Sequence, residues 1–177
     1  MTDTSEPLRS RRAGPDMPLL SGEALSAAIR GHHLGDHPLA RLAARFGAMH
    51  HRHLIGLEAE CRAECRAECR CQRAELAAEV DAWARDHLPV PHPAATLHAE
   101  PLGAVIDRLA EAQVVAYHLL MTVDPVDPRV HAAWYRLAEL VDGYNDLITA
   151  LSQRSRRLPA PRQPSMTESR TPEADSP

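Results

Sequence analysis

Leu97-His98-Ala99-Glu100-Pro101-Leu102-Gly103-Ala104-Val105-Ile106-Asp107-Arg108-Leu109 decides how this chain folds. Pro101 suits the start of a helix, where its missing N–H leaves no bond unmade. From there Leu102, Val105, Ile106, Leu109, Ala112, Ala116, Leu119 and Leu120 follow steps of three and four. The spacing predicts a helix from Pro101 to near Met121. At about 100° per residue, Asp107, Glu111 and His118 share one stripe, with Glu100 in line and Gly103 beside it. The helix is amphipathic, its acids and His opposite the core.

The same period extends in both directions. Val130, Leu137, Tyr144 and Leu151 recur every seven residues, with Trp134, Val141 and Ile148 between them. That is the seam of a helix packed lengthwise against partners. Asp127-Pro128 is its expected cap. Upstream, Ser21 caps a short helix ending at Gly31. Pro38 then opens one very long helix that Pro89, Pro91 and Pro93 terminate, with Gly47 and Gly56 as bending points. No segment alternates with a period of two. The expected fold is all-α: an antiparallel helical bundle with one very long helix and disordered termini. Residues 1–17 and 157–177 carry too little apolar surface to order, leaving a single helical domain over 18–156. Met17 is a second candidate start.

The chain has 177 residues and a net charge of −4. It offers no basic excess for nucleic acid. All 20 basic residues are Arg, which excludes a Schiff-base lysine and a P-loop lysine. Abundant Ala, Arg and Pro without Lys points to a GC-rich bacterial genome. No apolar run reaches the roughly 18 to 20 residues of a membrane span. The expected compartment is the cytoplasm, with reduced thiols.

Cys61-Arg62-Ala63-Glu64 repeats as Cys65-Arg66-Ala67-Glu68 and restarts at Cys69-Arg70. All four Cys lie in one short stretch, whereas zinc sites commonly draw a second pair from elsewhere. The repeat reads as a tolerated expansion, with Cys as small apolar filler. His50, His51 and His53 cluster without a carboxylate at ligand spacing. They read as a solvated face with one semi-buried ring, His53. No metal and no cofactor are expected.

With Tyr117-His118 downstream, the pattern L-H-x-E-x-x-G-x-x-I-D-R-L resembles the bacterial domain-of-unknown-function family numbered 4254. The resemblance places its signature at His98, Glu100, Gly103, Asp107, Arg108, Tyr117 and His118, with Glu58 and Asp146-Leu147 as further points. Ile55 and Gly56 depart from it, standing where the family carries an aromatic and a His. Pro101 stands where the family usually shows Ser or Thr. The resemblance implies a helical domain of about this length and no particular reaction.

For function, the stripe suggests a polar cleft holding a small molecule, as a binding protein or an accessory enzyme of specialised metabolism. Glu100 or Asp107 would be acid or base, Arg108 would hold an anionic group and His118 would be the proton partner. His98, Gly103, Glu111, Tyr117 and Glu58 complete the candidate set. The alternative is a non-enzymatic interaction module, pairing through its helix seams with itself or another helical protein. The distinguishing feature is whether Glu100, Asp107, Arg108 and His118 converge on one pocket.

Overall fold

The computed structural model describes residues 19–32, 35–58 and 63–160. In chain order these form α1 (Gly22–Ile29), α2 (Pro38–Glu58), α3 (Ala63–His87), β1 (Thr96–Leu97), α4 (Leu102–Thr122), α5 (Pro128–Ser152) and β2 (Arg156–Arg157). Ser21 caps α1 by accepting from the Ala24 amide at 3.3 Å. Gly31, at φ +85°, ends that run in a conformation other residues resist. Asp127 caps α5 through the Arg129 amide at 2.8 Å. These boundaries match the capping signals in the sequence.

The single long helix does not form. Arg45 Nη1 meets Glu79 Oε2 at 2.5 Å, and Arg52 Nη2 donates to Gln72 Oε1 at 3.1 Å. In one straight helix Arg45 and Glu79 would stand about 51 Å apart. Helix α2 ends at Glu58, and α3, from Ala63, runs back along it. The apolar stripe gave no warning. Its period stays the same whether the chain continues or folds back onto its own apolar face. Cys61 lies outside the described residues, as do the side chains of Cys65, Cys69 and Glu58, while Cys71 is exposed.

Helix α4 is central and packs against α1, α2, α3 and α5. Leu102, Ile106, Leu109 and Ala110 are completely buried, beside Phe46 of α2, Leu76 and Val80 of α3, and Tyr144 of α5. Each large apolar side chain buried this way contributes about 1.5–3 kcal/mol. Gly103 lets α3 approach: a Cβ there would collide with the Ala77 carbonyl oxygen and sit 2.7 Å from its Cα. Gly47 does not break α2. It accommodates the Ile29 backbone at the end of α1. The seam residues Val130, Leu137, Tyr144 and Leu151 are buried within this chain, so they are not an exposed surface for a partner.

One element was not expected. Thr96 and Leu97 pair in parallel with Arg156 and Arg157. The His98 amide donates to the Arg157 carbonyl at 2.8 Å. Two residues are too few to show alternation, so sequence periodicity could not find this bridge. It draws Arg157 and Leu158 onto the fold, and Leu158 packs against the core. The described residues continue past 157, through Ala160. Among the described residues, no helix is long and apolar enough to cross a membrane.

Candidate functional site

The acids and bases of α4 separate into three places. Asp107 is only 8 % exposed, contrary to the expected position opposite the core. Helix α3 folds back across that face. His50 Nε2 lies 2.9 Å from Asp107 Oδ1, and Arg73 Nε donates to Oδ2 at 2.5 Å. Arg73 Nη2 reaches Glu111 Oε2 at 3.1 Å. The chain His50–Asp107–Arg73–Glu111 therefore ties α2, α3 and α4 together. Partial burial works against the Arg73 charge. The hydrogen bonds and charges of Asp107 and Glu111 outweigh it and raise its pKa. His50, expected on a solvated face, is the buried ring of its cluster at 6 % exposure. The row Leu39, Ala43, Phe46, His50 places it on the buried stripe, a signal already present in the sequence.

The second grouping lies at the start of α4. Arg108 Nη1 donates to Glu100 Oε1 at 2.7 Å. That hydrogen bond holds the Glu100 carboxyl below its usual range, against the opposing effect of burial and with help from the Arg108 and His98 charges. His98 Nδ1 lies 2.8 Å from the Glu100 carbonyl oxygen and 3.3 Å from the Glu100 amide, so its tautomer decides which of the two it bonds. Pro101 offers no side-chain cap. Asp81 of α3 supplies one, its Oδ1 accepting from the Gly103 amide at 2.7 Å. Burial raises the Asp81 pKa, and the Gly103 N–H and Arg85 only partly offset it. The start of α4, where Pro101 has no capping side chain, thus receives its cap from a neighbouring helix.

The third grouping is a cleft of about 840 Å³ between the end of α1, α2 and α4. Val114, Tyr117 and His118 line its α4 side, and Ala44, Ala48 and His51 its α2 side. Arg30 stands at the α1 end. Gln113, 1 % exposed, forms part of the wall. Its Oε1 accepts from Arg30 Nη1 at 3.2 Å, while its Nε2 is buried without a partner among the described residues.

The expected convergence does not occur. His118 and Tyr117 line this cleft; Glu100, Asp107 and Arg108 do not. Eleven residues separate Asp107 from His118, a rise of about 16 Å along the helix. Gly103 faces the Ala77 backbone, and Glu111 pairs with Arg73. Sequence reasoning missed Arg30, His51 and Gln113. Gln113 had a legible signal: it continues the buried row Leu102, Ile106, Leu109 and Ala116 as its one polar member. Among the described residues, no three His, Cys, Asp or Glu side chains form a metal-ligand group.

Residues 67–160 match the model of a family described as protein of unknown function (DUF4254). The matched span is more than half of the chain. The chain belongs to this family. No curated protein and no solved structure matches it. The DUF4254 span takes in most of α3, all of α4 and α5, and both short strands. Gln113, Tyr117 and His118 lie within it. Arg30, His50, His51 and the divergent Leu54–Glu58 stretch lie outside it, so two walls of the cleft come from beyond the DUF4254 match.

Proposed function

We propose that this protein binds a small molecule in the cleft between α1, α2 and α4. The unpartnered Gln113 amide carries the reading. A buried N–H without an acceptor costs about 1–3 kcal/mol, and among the described residues Gln113 is the one with such a donor that also lines the cleft. A bound molecule presenting an oxygen to Nε2 would satisfy it. The cleft volume falls within the roughly 300–1,000 Å³ typical of small-molecule sites. Ile29, Ala44, Ala48, Val114 and Met121 offer an apolar bed, and Arg30, His51 and Tyr117 offer polar contacts around it.

Binding, rather than acid–base catalysis by the α4 carboxylates, is the function this arrangement favours. Asp107 is engaged by two bases and Glu100 by Arg108, so neither carboxylate is poised over the cleft. A fragment screen by ligand-observed NMR tests the proposal, using the wild type and Ala48→Trp. Ala48 is an exposed lining residue, so the indole fills the cleft without disturbing the core. Fragments should bind the wild type and lose that signal in A48W. Hits unaffected by the substitution would place binding elsewhere and defeat the reading.

A further inference from the structure

We infer that the molecule held in this cleft is an anion, a carboxylate or phosphate on an apolar body; the inference rests on the binding reading above. The chain as a whole is acidic, with a net charge of −4. The described residues lining the cleft reverse that sign: they include Arg30, Arg52, His32 and His51 and no Asp or Glu. A site of one charge sign on a protein of the other selects its ligand electrostatically.

Arg30 is the cation that belongs to this cleft. Its one side-chain hydrogen bond among the described residues goes to Gln113 Oε1, a neutral amide oxygen, so no described carboxylate neutralises its charge. Among the described residues the Arg52 side chain also bonds to an amide oxygen, that of Gln72. Arg52 borders a second groove that contains Glu68 and Glu75, so part of its field is spent there.

The Arg30–Gln113 bond has a second effect. A guanidinium only donates, so it fixes which end of the amide is oxygen and leaves Nε2 as the unpaired donor. The Arg30 N–H groups left over from that bond then give the cleft a donor-only edge, with the buried Gln113 amide beside it. Carboxylate and phosphate oxygens are acceptor-only and match it in charge as well. A neutral amide matches half of this edge, and an amidinium matches none. The apolar residues Val114 and Met121 beside it suit a hydrocarbon or aromatic body.

Three isosteric probes test the class: 2-naphthoate, 2-naphthamide and 2-naphthamidine, titrated by calorimetry into the full chain. 2-Naphthoate should bind about tenfold more tightly than 2-naphthamide, the scale of one desolvated charge contact near a protein surface. Arg30→Met should erase that advantage while still binding 2-naphthamide, and Arg30→Lys should keep most of it. Arg30 is exposed, so neither variant threatens the core. Equal affinity for the three probes, or a preference for the amidine, overturns the anion inference and leaves the binding reading standing. Failure of all three to bind overturns the binding reading and the inference with it.

Discussion

Asp107 is held from two sides, and the two contacts differ in cost when broken. His50 is almost completely buried, whereas the Arg73 side chain is 42 % exposed and can turn to water. Asp107→Ala should therefore destabilise by about 2–3 kcal/mol, mostly through the orphaned imidazole, below the full loss of a buried pair. Asp107→Asn keeps an acceptor and should lose less; urea denaturation of both variants checks the order. Glu100 gives a pH signature. Its carboxyl pKa is lowered in the folded state, so its contribution is complete above the unfolded value near 4.5 and disappears as pH falls through the folded value. In thermal melts across that range, Arg108→Met should melt below the wild type near neutral pH. The gap should close in acid. Residue identities were legible here, but partners were not. A helical projection places Asp107 on a face, yet cannot say that a second helix covers it.

The contact between α3 and α4 depends on a glycine and on a cap supplied from outside the helix. A methyl group at position 103 would meet the backbone of Ala77, which has no rotamer to yield. Gly103→Ala should cost about 1–3 kcal/mol through overpacking, despite alanine's better helix propensity. Asp81→Ala should cost about 1 kcal/mol, as loss of an N-cap does, and Asp81→Asn should recover most of it because an amide oxygen still accepts. Equilibrium unfolding of the three variants separates packing from capping. Helix existence and most ends were readable from Ser21, Pro38, Pro101 and Asp127. The reversal between α2 and α3 was not, since residues 39–87 keep one apolar stripe on both sides of it. The β1–β2 bridge was likewise hidden, because it is made by backbone groups without any side-chain pattern.

At the scale of the whole molecule, α4 is the axis around which the other helices pack, and its polar residues serve two different ends. Asp107 and Glu111 join helices together. Gln113, Tyr117 and His118 face a cleft whose other walls are α1 and α2. The sequence placed Tyr117 and His118 correctly in a candidate set and assembled the wrong companions around them, because a shared stripe does not imply a shared pocket. The cleft depends on where α1 and α2 come to rest, and no local pattern encodes that. The central claim is that Gln113 is retained for a ligand and not for the fold. Gln113→Met replaces the amide with an apolar chain of similar size and removes the unpaired donor. Measured by urea denaturation without ligand, the variant should be as stable as the wild type or more stable, and it should lose the fragment binding seen with the wild type. A loss of more than about 1.5 kcal/mol, with fragment binding intact, would contradict the claim.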